Sequence, residues 1–140
     1  MTQALGGVWY AKRRKIPCTI YVQDLWPENV EVVTGIKNKT IIGAIDKMVN
    51  YIYKNCGLIL ATSPSFVNRL NERPSVYDEK GSSKVKYWPQ YAEEFYKPTE
   101  KKDLEGLKVS DTFRIVFTGN IGYAQGLDIL PKTAELLKKE

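Results

Sequence analysis

Histidine is absent from this 140-residue chain. That removes Ser-His-Asp and Cys-His nucleophilic catalysis, and most zinc sites. Cysteine is scarce: Cys18 and Cys56 stand alone, with no C-x-x-C pair. Both sit in apolar surroundings, so buried reduced thiols are the expectation, and a cytoplasmic setting suits them. No apolar run approaches the length of a membrane span. The start does not read as a secretory leader, because its short apolar piece, residues 4–11, precedes the basic residues instead of following them. The two best-defined phosphate motifs are missing as well, since there is no G-x-G-x-x-G and no Gly-Lys-Ser/Thr.

What is present is the composition of a soluble globular protein, 43% hydrophobic and 26% charged, at the length of one ordinary domain. The net charge is +5, and Lys12, Arg13, Arg14 and Lys15 supply a large part of it. Such a run suits the solvated last turn of a helix, where cations complement the dipole. No matching aromatic RNA-binding pattern accompanies it, so nucleic acid is not expected as a partner. Contact with an anionic membrane surface stays open.

Taken in order, residues 1–15 read as a weak helix, with Gly6 and Gly7 against it and Pro17 beyond its end. No strand precedes it to pack upon. Residues 18–23 are the first strand, and it runs into Asp24, Leu25, Trp26, Pro27 and Glu28. Open α/β sheets place ligands at strand C-termini, so Asp24, Trp26 and Glu28 are candidate site residues. Asp24 equally suits the cap of a helical turn with Pro27 in its first positions. Ile41, Ile42, Ile45, Met48, Val49, Ile52, Tyr53 and Cys56 form the strongest helical stripe, which reads as core, with Gly57 expected to end the helix at C′. Residues 58–62 are a wholly apolar strand of the kind found in the middle of a parallel sheet. Ser63 as N-cap and Pro64 at the first helical position open the next helix, with Phe66, Val67 and Leu70 facing inward and Pro74 ending it. Residues 75–84 read as a surface loop, 85–88 as a third strand, and 90–111 as a charged connector.

Residues 113–118 are mostly β-branched or aromatic and predict a fourth strand. Gly119, Gly122 and Gly126 follow, then a segment with Leu127, Leu130, Ala134 and Leu137 on one face. Its helix should start near Asp128, because Pro131 is tolerated only in a first turn. Strand, glycine loop and helix make half of a βαβ unit. The glycines let the backbone approach a ligand, and the helix N-terminus favours an anion, naturally a phosphate. A tight strand-to-helix turn with no ligand accounts for the same glycines. Alternating strands and helices predict an α/β fold with a parallel sheet covered on both faces.

Four stretches in this order resemble the family 4 glycosyltransferases. They are Ile20-Tyr21-Val22-Gln23-Asp24-Leu25-Trp26-Pro27-Glu28, Ala61-Thr62-Ser63-Pro64-Ser65-Phe66, Trp88-Pro89-Gln90-Tyr91-Ala92-Glu93, and Phe117-Thr118-Gly119-Asn120-Ile121-Gly122-Tyr123-Ala124-Gln125-Gly126-Leu127-Asp128. Within that family the chain is most similar to the bacterial enzymes that build capsule, exopolysaccharide or O-antigen. The resemblance covers nearly the whole chain.

It implies the GT-B fold, in which two Rossmann-like domains face a cleft. The N-terminal domain takes the acceptor and the C-terminal domain takes the sugar nucleotide. Transfer retains anomeric configuration, with no metal and no cofactor apart from the nucleotide-sugar donor substrate. Residues 1–95 would then be the C-terminal part of the acceptor-side domain, 96–111 the connector, and 112–140 the first βα unit of the donor-binding domain. The chain thus resembles a middle portion of such an enzyme, without the early strands of the first domain and without the acidic E-x7-E motif of the second.

By the same resemblance Asp24, Trp26 and Glu28 border the acceptor side of the cleft. Gly119, Asn120, Gly122, Gln125 and Gly126 form the donor-diphosphate loop, and no residue is assigned as catalytic. The implied partners are a nucleotide-sugar donor and a lipid-linked saccharide acceptor, at the cytoplasmic face of the plasma membrane. One departure matters. Many members carry an arginine after the first loop glycine and a lysine before the last, where this chain has Asn120 and Gln125. Neutral amides hydrogen-bond a diphosphate without neutralising it. The expectation is a partial glycosyltransferase that is inactive as this stretch alone. The alternatives are a non-catalytic truncated remnant or a small nucleotide-binding module.

Overall fold

The structure is a computed structural model, and it describes residues 1–98, 115–122 and 125–138. The chain divides into two compact units, Met1–Gln90 and Tyr91–Glu140. The first unit runs α1 (Gln3–Arg14), β1 (Thr19–Val22), α2 (Glu28–Thr34), α3 (Lys39–Asn55), β2 (Leu58–Ala61), α4 (Pro64–Asn71), a 3-10 turn (Pro74–Val76) and β3 (Val85–Tyr87). The three strands form one sheet in the order β1-β2-β3, parallel throughout, as the sequence predicts. This is a mixed α/β architecture with a small parallel sheet, compatible with a Rossmann-like fold.

Strand register decides what the sheet buries. Ile20 pairs with Ile59 and Val22 with Ala61, while Ile59 also pairs with Val85. These side chains share one face, and Val22, Ile59, Ala61 and Val85 are all buried there. Val8 of α1, Val49, Ile52 and Tyr53 of α3, and Leu70 of α4 belong to the same core cluster. Each fully buried aliphatic or aromatic side chain is worth about 1.5–3 kcal/mol relative to exposure. Thr19, Tyr21 and Lys86 on the opposite face are exposed, and Leu58 and Leu60 are half-buried. Among the described residues the expectation of a sheet covered on both faces is therefore corrected. α1, α3 and α4 all feed a single core, so one face takes the burial.

α1 is a firmer element than the sequence suggested. Its Val8 is buried in that core, with Ala4 and Leu5 packed against it, which offsets the helix cost of Gly6 and Gly7. α3 starts where the Asn38 side chain accepts from the amides of Thr40 (2.9 Å) and Ile41 (3.3 Å), an N-cap in full. Its apolar stripe is core only in part: Val49, Ile52 and Tyr53 are buried, Ile45 and Met48 sit at the margin, and Ile41 is 44% exposed. No described residue covers that first turn. α3 ends at Asn55 with an extended Cys56 as its C-cap, so Gly57 falls at C′ as expected, although without the left-handed conformation common there. Instead the Gly57 amide donates to the Cys18 carbonyl at 2.8 Å and leads the chain into β2 beside β1.

α4 opens as read from the sequence. Ser63 Oγ accepts from the Phe66 amide at 3.2 Å, Pro64 occupies the first turn, and Leu70 is buried.

In the second unit, residues 115–118 are not strand, which corrects the expected fourth strand over its described part; residues 113 and 114 lie outside the described residues. An extended segment becomes a strand only with a hydrogen-bonded neighbour, and none is present among the described residues. α5 (Ile129–Leu137) starts beside Asp128 with Pro131 in its first turn, as predicted, but none of its residues is buried. The apolar face through Leu130, Ala134 and Leu137 is exposed among the described residues. The connector over 99–111 lies outside them.

Candidate functional site

β1 directs its C-terminal end into the stretch that the sequence marks as polar. There a cavity of about 360 Å³ opens between the start of α1 and the end of β1, lined by Met1, Gln3, Tyr21, Gln23, Asp24 and Trp26 among others. Its size is that of a small-ligand site, and it lies where open parallel sheets carry their ligands. Asp24 Oδ1 accepts from Asn29 Nδ2 at 2.8 Å, which braces the carboxylate against the first turn of α2. Its second oxygen makes no hydrogen bond within the described residues. The carboxylate accepts, and the half-buried Trp26 indole offers an apolar plate with one donor. That pair suits a polyhydroxylated ligand.

Glu28 does not join them. Its Oε1 lies 3.7 Å from Arg69 Nε and 3.7 Å from Arg73 Nη2, and Oε2 is buried with no hydrogen-bond partner. The structure thus brings Asp24 and Trp26 to one cavity and turns Glu28 toward cations at the end of α4. Proximity in sequence misleads here because residues 28–34 form helix α2, so successive side chains point in different directions.

Sequence reasoning missed what holds this loop in place. Arg73, with a side chain only 17% exposed, donates through Nη1 to Asp46 Oδ1 of α3 at 2.5 Å and through Nη2 to the Trp26 carbonyl at 3.1 Å. Asp46 Oδ2 accepts from Asn50 Nδ2 at 2.8 Å, and Asn50 Oδ1 accepts from Ser75 Oγ at 2.7 Å. One guanidinium therefore ties the backbone of the cleft loop to α3. The available signal was Asp46 and Asn50, polar residues at i and i+4 beside an apolar stripe. Beneath them Tyr53 is fully buried with no hydrogen-bond partner for its hydroxyl. Burial pushes its phenol up to about 12, with Arg73 acting against this and Glu28 and Cys56 reinforcing it.

In the second unit the described part of the glycine loop leads into a turn at 125–128 before α5. Gly119 sits at φ +151° and Gly126 at φ +59°, both conformations that disfavour a side chain. Gly122 and Gly126 line a cavity of about 450 Å³ together with Ile121, Leu127 and Asp128. Gly119, Asn120 and Gln125 do not line it. Gln125 Oε1 would lie 2.7 Å from a side-chain carbon at Gly122, so its amide folds over that glycine. Among the described residues no cluster of His, Cys, Asp or Glu could hold a metal ion, and no helix is long and apolar enough to cross a membrane.

These features define a mixed α/β protein with a cavity at the end of a parallel strand. No protein-family model, no curated protein and no solved structure matches the chain.

Proposed function

We propose that this chain is part of a retaining glycosyltransferase of the GT-B kind, moving a sugar from a nucleotide-sugar donor to a lipid-linked saccharide during bacterial surface-polysaccharide synthesis. The observation that carries this reading is the cleft at the end of β1. A carboxylate acceptor and an indole plate meet there, at the strand terminus where the resemblance puts the acceptor. Asp24 accepts from a sugar hydroxyl, and Trp26 stacks on the apolar face of the ring. Glu28 acts on structure, through Arg69 and Arg73. The donor diphosphate belongs at the glycine loop, where Gly119 and Gly126 keep the backbone approachable, Gly122 leaves room for the Gln125 amide, and Asn120 and Gln125 supply neutral hydrogen bonds. No second carbohydrate-binding motif is needed for this assignment, and no residue of the chain is assigned to bond breaking.

An anionic bilayer is the second partner we propose, as the place where a lipid-linked acceptor resides. Trp9 and Tyr10 are 62% and 51% exposed on α1, beside Lys12, Arg13, Arg14 and Lys15. Lys12 Nζ lies 5.6 Å from the Tyr51 ring, which joins this end of α1 to the exposed face of α3 carrying Lys47 and Lys54. No acidic residue occurs in the first 23 positions. Cations with exposed aromatics suit an anionic interface.

Titration of the labelled chain with nucleoside-diphosphate sugars, followed by amide NMR, tests the donor assignment. Weak saturable shifts at Gly119, Asn120, Gly122, Gln125 and Gly126 are expected, with Kd no tighter than about 1 mM and no transfer, because charge and preorganisation are both short. Shifts confined to other residues would overturn the assignment, and Kd near 1 μM would overturn the inactivity of the isolated chain.

A further inference from the structure

We propose that Cys18 and Cys56 form a dithiol modification site, closed to an internal disulfide by small-molecule disulfides of the glutathione type. The two residues are 38 positions apart in sequence, yet Cys56 Sγ donates to Cys18 Sγ at 3.7 Å. Backbone geometry holds them there. Cys56 leaves α3 in an extended conformation, and the next amide, Gly57, is bonded to the Cys18 carbonyl at 2.8 Å. A disulfide needs sulfurs about 2.05 Å apart, so rotation of the two short side chains has less than about 2 Å to close. Cys18 precedes β1, an edge strand among the described residues, where the sheet resists such adjustment least.

The pair is asymmetric, and the asymmetry sets the order of events. Cys18 is half-buried and reachable, while Cys56 is 3% exposed. Burial, reinforced by the hydrogen bond to Cys18, pushes the Cys56 thiol up to about 12. The Lys84 ammonium opposes this from nearby, donating to the Tyr53 carbonyl at 2.8 Å and the Lys54 carbonyl at 3.3 Å at the end of α3. Cys18 is therefore the entry thiol and Cys56 the resolving one. Cys18 thiolate attacks one sulfur of the small disulfide, breaking its S–S bond and releasing one small thiol. Cys56 then attacks Cys18 Sγ of the mixed disulfide, its proton passing to the departing small thiolate, which leaves as the second small thiol. Two protein thiols are oxidised by two electrons, and one small disulfide is reduced to two thiols. The closed bond pins the end of α3 to the start of β1, at the opposite end of that strand from the cleft.

The test is native incubation of the full reduced chain in glutathione buffers of rising oxidised fraction, then acid quench, intact mass and peptide mapping. The expected product is two hydrogens lighter, cross-links residues 18 and 56, and carries no lasting adduct. Cys56→Ser should stop at a glutathione adduct on Cys18, and Cys18→Ala should leave the folded chain unreactive. Early quenching of the wild-type reaction gives a check independent of any variant's folding, because the adduct on Cys18 must appear before the cross-link. A stable adduct on wild-type Cys18 would overturn the proposal. So would a native chain that stays reduced where the same chain in denaturant is oxidised.

Discussion

Arg73→Ala removes the guanidinium that ties the cleft loop to α3. The guanidinium is 17% exposed and makes two direct bonds, to Asp46 and to the Trp26 carbonyl, with Glu28 at 3.7 Å. Deleting one partner of a fully buried pair costs about 3–5 kcal/mol, mostly from the charge left behind. Asp46 and Glu28 are 41% and 39% exposed, and Asp46 keeps Asn50, so water takes up part of that loss. The expected cost is about 2 kcal/mol. Arg69→Ala is the matched control. Arg69 is 52% exposed, and its partner Glu72 is 61% exposed, so its loss should cost under about 1 kcal/mol. Arg73→Lys should recover only part of the loss, because a single ammonium lacks the planar fork that reaches Asp46 and the Trp26 carbonyl together. Urea unfolding read by far-UV circular dichroism measures all three, and a double-mutant cycle with Asp46→Asn should return a coupling of about 1 kcal/mol or more. If Arg73→Ala stays within about 0.5 kcal/mol of wild type, or matches Arg69→Ala, the anchoring role is refuted.

Stability should decline at high pH. The Tyr53 phenol ionises near its ordinary value of 10 when unfolded and near 12 when folded, so its contribution is complete below pH 10 and lost as pH rises through 12. The full loss is about 2–3 kcal/mol, measured as the change in urea midpoint across that window, and Tyr53→Phe should abolish it. At neutral pH the same substitution should be neutral or stabilising by about 1 kcal/mol, because the hydroxyl has no partner; a loss larger than that would mean the hydroxyl is bonded. Asn38→Ala should destabilise by about 1 kcal/mol in the same assay, since it strips two amides of α3 of their acceptor. Replacing Lys12, Arg13, Arg14 and Lys15 by glutamine should weaken sedimentation with anionic vesicles and flatten its salt dependence, and unchanged binding would reduce the run to a solvated helix end.

The parallel sheet was legible because each of its strands carries its own signal. β2 is wholly apolar and lies between two turn-bounded β-branched or aromatic runs, which is why the centre of the sheet could be read from composition alone. Ser63-Pro64 announced α4 through side-chain chemistry that operates within three residues. α2 was not legible as a full helix: Val30, Val32 and Val33 favour strand, and only Val30 is buried. Its sharp end depends on Gly35 at φ +70°. Gly57 was legible as the C′ residue of α3, while its hydrogen bond to residue 18, which leads the chain into β2, is invisible in local sequence. The candidate acids illustrate the same division. Asp24 and Glu28 look equivalent in the sequence, and only the position of Arg69 and Arg73 across the fold tells them apart.

The proposed saccharide assignment of the cleft is tested most directly by titrating the isotopically labelled chain with a short-chain prenyl-diphosphate saccharide and following every amide. The account predicts saturable shifts in residues 21–26 and 1–4, weakened by Asp24→Asn and by Trp26→Ala, with Glu28→Gln binding as wild type does once its fold is verified. Shifts that fall elsewhere, or that persist unchanged in both cleft variants, would contradict it.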